Sequence, residues 1–339
     1  MDSALILASG LTVSRNEFAA PFPHVADEAS LRSVAERVES VLRRCGDAGE
    51  WEVQHLEALP PVQRNYLLER GLMTPSFAAN TGSWRLYGLF QGGRAAVEVN
   101  GGDHLRLLTS GPGEVLSDLW ATIDSVDDQL ETEIPYAFDE RWGYLTAHLD
   151  DSGTGLRAYA TIHVPGLMIT GRLGGIALGL VRQGLGLAPL WNGAGGVFQV
   201  FNKRAQGTSE RRITEAVAAA SADIVDQERT VRKRLFRENP VSVRDHIGRA
   251  LGTAQQAWSV SNAEGLTLVS SIQVGVVMGL IEDSGFGAED TLRMMRRIQP
   301  AHLVIDEVGP GFAGLEDPQV DEVRARTLRR LLAGARAEL

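Results

Sequence analysis

Two arginines stand where this sequence is able to grip phosphate. Residues 100–108 read NGGDHLRLL and residues 136–158 read YAFDERWGYLTAHLDDSGTGLRA; each joins glycine turns to a short run that carries Arg106 or Arg157 at a strand end. A guanidinium is a planar fork of N–H donors matching the oxygens of a phosphate, so both are candidate phosphate contacts. They suit equally well a pairing with acids along a crowded sheet edge, which would make them structural. His148, Asp150 and Asp151 offer metal-ligating atoms on one loop. Three such residues so close together form a solvated turn more readily than a ligand set of fixed geometry, and no metal is expected there. Other chemistries lack their patterns. The clusters GRLGG (171–175) and NGAGG (192–196) have neither G-x-G-x-x-G spacing nor the strand-to-helix setting of a dinucleotide site, and G-x-x-x-x-G-K-[ST] does not occur. The seven histidines show no H-E-x-x-H, and G-x-S-x-G is missing.

The elements that must position these residues are legible from periodicity. Leu31, Val34, Val38, Val41, Leu42 and Cys45 share one helical face over residues 27–45, with Asp27 placed to cap the helix and Gly46 to end it. Residues 84–90 and 95–100 flank Gln91-Gly92-Gly93-Arg94, where two glycines tolerate the angles of a hairpin turn. Residues 104–108 follow as a third short strand and 113–131 as an amphipathic helix. A second β-rich stretch holds strands at 143–146, 155–164, 185–191 and 197–201, with a helix over 167–183 between them. A charged helix runs from Ser209 to the region of Phe236, and the pattern breaks at Asn239-Pro240, since the residue before proline avoids helical angles. Beyond Val243 the chain reads almost wholly helical. Hairpins returned through long helices predict an α+β fold: a largely antiparallel sheet flanked by helices over residues 1–239, and an all-α domain over 240–339.

Composition narrows the function classes. A chain of 339 residues suggests about two domains. With 44% hydrophobic and 22% charged residues it is a folded chain, not a disordered one. Its 33 basic and 43 acidic side chains leave a net charge of −10, which repels a nucleic-acid backbone. Cys45 stands alone, excluding an intramolecular disulfide and a multi-thiolate metal site, and a cytoplasmic location is expected. The apolar stretch from Ala4 to Ala8 is too short for a secretory signal, and residues 265–281, holding Ser270, Ser271 and Gln273, read as a buried helix with no membrane span.

YAFDERWGYLT followed by GTGLRA, DHLR at residues 103–106, HVPGL at 163–167 and GGVFQVFN at 195–202 resemble the ATP:guanido phosphotransferases, closest to their bacterial protein-arginine kinase branch. SRNEFAAPFP near the start and the helical tail extend the likeness over nearly the whole chain. The resemblance implies a sheet-and-helix catalytic domain that moves the γ-phosphoryl of magnesium ATP onto a guanidinium, a helical C-terminal domain that recognises phosphoarginine, and a homodimer. Against the family's S-S-R-x-R, this chain reads Ala8-Ser9-Gly10-Leu11-Thr12, so two phosphate-binding arginines become Gly10 and Thr12; a third falls at Ala188-Pro189. N-E-E-D-H becomes Asn100-Gly101-Gly102-Asp103-His104, which removes at Gly102 the carboxylate that orients the guanidinium. His148 replaces the family's loop cysteine, and the loop carrying the second substrate carboxylate is shortened to residues 191–194. Arg106 and Arg157 remain as the phosphate contacts, and ATP and magnesium are implied only as far as these two hold nucleotide. In the tail, R-D-x-x-R-A becomes Val320-Asp321-Glu322-Val323-Arg324-Ala325. The resemblance implies that Asp321 takes a guanidinium and Arg324 a phosphate; one helical turn apart, the two are also placed to pair with each other.

Losing oriented charges from both halves of a phosphoryl-transfer site costs orders of magnitude in rate. The expectation is therefore a pseudokinase with a binding or regulatory role, its partners arginine-phosphorylated proteins or a related arginine kinase system. The alternative is an active ATP-dependent protein-arginine kinase whose remodelled site draws on His148, Asp150 and Asp151. Gly10, Gly101-Gly102 and Ala188 favour the first.

Overall fold

The computed structural model describes residues 5–44, 51–82, 84–282, 285, 287, 290–309 and 317–338. Cys45, Gly46 and Ala4 lie outside them. The chain begins with β1 (Ile6–Arg15) and α1 (Glu28–Arg44), where the Ser30 N–H donates to Asp27 Oδ1 at 2.8 Å, the expected cap. β2 (Trp51–His55), α2 (Pro61–Glu69) and α3 (Pro75–Ala79) lead to the hairpin of β3 (Leu86–Phe90) and β4 (Ala95–Val99), followed by β5 (Leu105–Pro112) and α4 (Leu116–Glu131). Gln91, Gly92 and Gly93 all take positive φ in the hairpin turn. Next come β6 (Phe138–Asp139), β7 (Gly143–Tyr144), β8 (Leu156–His163), α5 (Pro165–Ile169), α6 (Leu173–Arg182), β9 (Leu185–Pro189), β10 (Val197–Asn202) and the long α7 (Glu210–Glu238). Ser209 caps α7 by accepting from the Arg212 N–H.

Among the described residues eight strands form one antiparallel sheet in the order β2-β3-β4-β5-β1-β8-β10-β9, so the α+β class read from the sequence holds. The central strand β1 is a correction: the sequence reading took only Ala4 to Ala8 as apolar. Ser9, Gly10, Thr12 and Ser14 dilute the hydrophobic signal of a strand whose Leu11 and Val13 are fully buried. The helix expected over 167–183 is two, divided where Gly171 takes φ +67° and the Arg172 N–H closes back on Leu167 O. The strand expected over 143–146 shrinks to β7, paired with β6 and, through Tyr144, in a single antiparallel bridge to Gly153.

The tail holds α8 (Pro240–Gln256), α9 (Asn262–Val277), β11 (Ile281–Glu282), α10 (Thr291–Arg297), α11 (Pro300–Leu303), α12 (Asp317–Leu331) and β12 (Arg336–Ala337). It is helical apart from the small β11–β12 pair, whose two-residue strands carry too little pattern to read in advance. Most of residues 265–281 lies in the buried helix α9, and no helix among the described residues is long and apolar enough to cross a membrane. One apolar cluster lies between the sheet and α1, α4 and α7; a second joins the tail helices to Leu7, Ala8 and Val197 of the sheet.

Candidate functional site

Residues paired across an antiparallel ladder share a face of the sheet. Gly10 of β1 pairs with Ser110 and Tyr159, Thr12 with Leu108 and Arg157, and Ser14 with Arg106. Arg106 in turn pairs with Glu98. Arg106 and Arg157 are thereby brought to one face, on the two strands flanking β1, opposite the face that α1, α4 and α7 cover. Neither guanidinium is unopposed. Arg157 Nη2 donates to Asp151 Oδ1 at 2.6 Å and lies over the Phe201 ring, 5.8 Å from its centre. Arg106 Nε donates to Ser14 Oγ at 3.3 Å, and its Nη2 is 3.5 Å from Asp103 Oδ2.

The loop between β4 and β5 is held from below. Buried Asp103 accepts from Asn16 Nδ2 at 2.8 Å and from the Ala147 N–H at 2.7 Å. His104 Nδ1 accepts from the Glu17 N–H while Nε2 faces Pro21 O at 3.1 Å; burial holds its pKa below the usual imidazole range, so the ring is neutral and structural. Gly101 and Gly102 line a cavity of about 260 Å³ with Glu98, Arg85, Arg106 and His148. The fold does not demand glycine at position 102: its φ is not positive, and an added Cβ would meet nothing nearer than Arg106 Nη2 at 3.8 Å. Glu98 was missed by the sequence reading, although a lone acid in AAVEV is a signal. It accepts from Thr74 Oγ1 at 2.9 Å and from the Thr74 N–H, and burial pushes its pKa up to about 7 against the pull of Thr74, Arg106 and Arg85.

Farther along the face, aromatic rings lie where charged side chains would need room. A Cβ on Gly10 would clash with the hydroxyl end of the Tyr159 ring, and one on Gly186 would meet Phe201. Ala188 pairs with Gln199 in the β9–β10 ladder. The short loop after β9 turns tightly, with positive φ at Trp191, Asn192 and Gly193, and Gly195 packs so closely that a Cβ would come 2.8 Å from Leu266 O of α9. From α10, Arg296 reaches over to donate to Arg70 O at 3.2 Å.

His148, Asp150 and Asp151 diverge. His148 is exposed, Asp150 is 3.9 Å from Arg204, and Asp151 holds Arg157. No cluster of metal-ligating side chains occurs among the described residues. In α12, Asp321 and Arg324 are brought together in an ion pair. Arg324 is 1% exposed; its Nε donates to Ile298 O and its Nη1 to Val260 O, both at 2.8 Å. Val320 packs against Leu303 and Val323.

A family profile described as "ATP:guanido phosphotransferase, C-terminal catalytic domain" matches residues 33–231, and "Protein-arginine kinase McsB C-terminal domain" matches residues 240–338. The protein-arginine kinase of Moorella thermoacetica is 33% identical over 97% of this chain and 94% of its own. The chain belongs to the ATP:guanido phosphotransferase family. The protein-arginine kinase of Halothermothrix orenii is 31% identical over 88% of this chain and 86% of its own. Among solved structures, lombricine kinase overlays with a TM-score of 0.58 at 18% identity over 68% of each chain. The duplicated taurocyamine kinase of Schistosoma mansoni with bound transition-state analogue components overlays with a TM-score of 0.62 at 16% identity, over 78% of this chain and 38% of that one.

In this member of the guanido phosphotransferase family, the positions where its relatives were expected to carry phosphate-binding arginines, Gly10, Thr12 and Ala188, fall on the Arg106–Arg157 face or in the ladder beside it. One further arginine of β1 is not on that face. Arg15, from SRNEF, is buried on the helix side, where Nη2 donates to Asp127 Oδ2 at 2.5 Å, Nη1 donates to Thr154 O at 2.9 Å, and the guanidinium stacks 3.6 Å from the Tyr144 ring centre.

Proposed function

We propose that this guanido phosphotransferase relative is a pseudokinase that acts by binding, and that its ligands are phosphoarginine-bearing proteins or an arginine kinase that makes them. The observation that carries the reading is the face of the sheet around β1. Phosphoryl transfer works by positioning and by cations around the phosphates, whereas here Gly10 lies under Tyr159 and the remaining Arg106 and Arg157 face Asp103 and Asp151. Each absent bidentate arginine forgoes a charge-assisted contact of about 1.5–3 kcal/mol, so three together weaken nucleotide binding by several powers of ten. The test is paired. Incubation with magnesium ATP and an arginine-rich substrate protein is expected to yield no phosphoarginine by mass spectrometry, and calorimetry is expected to show no ATP binding below millimolar. Phosphoarginine that depends on this chain and vanishes with Arg157→Ala would establish the other reading, an active kinase like the relatives' names describe.

Phosphoarginine recognition is the finer half of the proposal and rests on Asp321 and Arg324. Asp321 supplies the acceptor for a guanidinium, and Arg324 the charge that draws the phosphate. Since Arg324 already donates to Ile298 O and Val260 O, ligand entry exchanges its pairing with Asp321 for one with phosphate. Val320 in place of an arginine weakens that attraction, and added salt weakens it further. Phosphoarginine is expected to bind the wild type and not Asp321→Ala. Equal affinity for both, or no binding at millimolar ligand, removes the phosphoarginine half while leaving the kinase test untouched.

A further inference from the structure

A cavity of about 520 Å³ lies at the seam where α5 and the loop after β9 meet α7, α8 and α9. Its size is that of sites that take small organic ligands. Leu235, Val243, Ile247, Val274 and Met278 make most of its wall, and Met168 and Ile169, which also line it, are exposed apolar side chains. Among the described residues that line it there is no carboxylate, and Arg232 is its one arginine or lysine.

Arg232 is 8% exposed and incompletely satisfied. Its Nε donates to Glu228 Oε1 at 2.6 Å, and its Nη2 is 3.2 Å from His163 Nδ1 and 3.3 Å from His163 O. Its Nη1 is buried with no hydrogen-bond partner among the described residues. Glu228 does not serve it: its two oxygens accept Arg232 Nε and the Gly166 and Leu167 N–H groups, the latter two at 2.9 and 2.7 Å. His163 adds no second charge: Nδ1 faces a guanidinium donor, Nε2 lies 2.7 Å from Ser270 Oγ, and burial together with Arg232 keeps the ring neutral. A buried charged donor left unpaired is costly, and an acceptor brought by a ligand recovers that cost.

We propose that this seam cavity binds a small amphiphilic monocarboxylate, its aliphatic body against Val243, Ile247 and Val274 and its head accepting from Arg232 Nη1. The apolar wall selects the body, and a guanidinium whose Nη1 lacks an acceptor, with no carboxylate among the described lining residues, selects the sign of the head. The site is separate from the sheet face and independent of whether that face transfers phosphate.

The probe is octanoate, titrated calorimetrically into the full-length chain, with octylamine as the charge-reversed control. Octanoate is expected to bind, and octylamine at least tenfold more weakly. Arg232→Gln would leave Glu228 buried without its counter-charge, so the head group is tested from the ligand side and the location by Ala194→Trp. Ala194 lines the cavity from a loop, with φ −57° and ψ 135°, angles open to any side chain, so a large residue fills the space from its edge. Ala194→Trp, with an unchanged circular dichroism spectrum, is expected to lower octanoate affinity at least tenfold. Failure of octanoate to bind at millimolar concentration, equal binding of octylamine, or unchanged affinity in a folded Ala194→Trp would each overturn the proposal.

Discussion

Along β1, Leu11 and Val13 are fully buried in the cluster that α1, α4 and α7 complete, while Gly10 and Thr12 on the other face lack the side chains that the family resemblance leads one to expect there. The two faces alternate residue by residue within a single strand. Folding depends on the first set, because its apolar area leaves water, and phosphoryl transfer depends on the second, because its charges meet the substrate. A chain is therefore able to keep a family's fold at about 30% identity while its reactive face changes, and the fold carries no guarantee of the chemistry.

The sharpest way to break this comparison is to put the covered face to the test. Arg15 and Asp127 form an ion pair with side chains 2% and 9% exposed. Asp127→Ala leaves a guanidinium buried without its counter-charge, and a loss of about 3–5 kcal/mol is expected in urea unfolding. A loss below about 1 kcal/mol would mean that the helix-side face is as dispensable as the other.

The next effect separates positions of that face that are sterically closed from those that are open. Gly10→Arg drives a side chain into the Tyr159 ring and is expected to cost about 1–3 kcal/mol by overpacking. The double variant Gly10→Arg/Tyr159→Ala should recover more than additivity allows, since the two positions occupy one space. Gly102→Glu, by contrast, meets open room beside Arg106 and is expected to change stability by no more than about 0.5 kcal/mol. If both glycines respond alike, the face has not been remodelled around Tyr159.

Glu98 gives a smaller effect with a definite sign. Its pKa is raised by burial from 4.5 to about 7, so between those values the folded chain holds a proton that the unfolded chain releases. Its contribution to stability is complete below the lower value and is lost as the pH rises through the upper one, at no more than about 1.4 kcal/mol per pH unit. Unfolding free energies at pH 5 and pH 8, compared between wild type and Glu98→Gln, are expected to show the variant losing less over that interval. A parallel response would mean that Glu98 is ionised throughout.

Much of this architecture was legible in advance because burial imposes periodicity. The faces of α1 and α7, the 91–94 hairpin turn and the break at Asn239-Pro240 follow from spacing and from backbone sterics. Strand β1 did not, since its outward residues are small and polar and leave a weak alternation. The candidate site was legible only in part. Arg106 and Arg157 were identifiable as residues, but that Asp103 and Asp151 meet them depends on loop geometry that the spacing of charges does not encode. Tyr159 over Gly10 and the orphaned Nη1 of Arg232 are facts of tertiary packing between distant segments, which periodicity cannot express.

The smallest effect decides whether the reactive face is stripped or merely masked. Arg157 and Asp151 pair at 2.6 Å with side chains 38% and 13% exposed, so solvent screens most of their attraction. Asp151→Ala is expected to change stability by less than about 1 kcal/mol. The same variant leaves Arg157 without the carboxylate that occupies it, which makes it the mildest possible rearming of the face. A single arginine supplies about 1.5–3 kcal/mol to a phosphate contact, too little to replace the cations absent at Gly10, Thr12 and Ala188. Calorimetric titration of Asp151→Ala with magnesium ATP is thus expected to show no binding below millimolar. Micromolar binding would mean that Asp151 had been shielding a working phosphate site, and the proposed contrast between a kept fold and a lost chemistry would give way to one between an open and a self-occupied cleft.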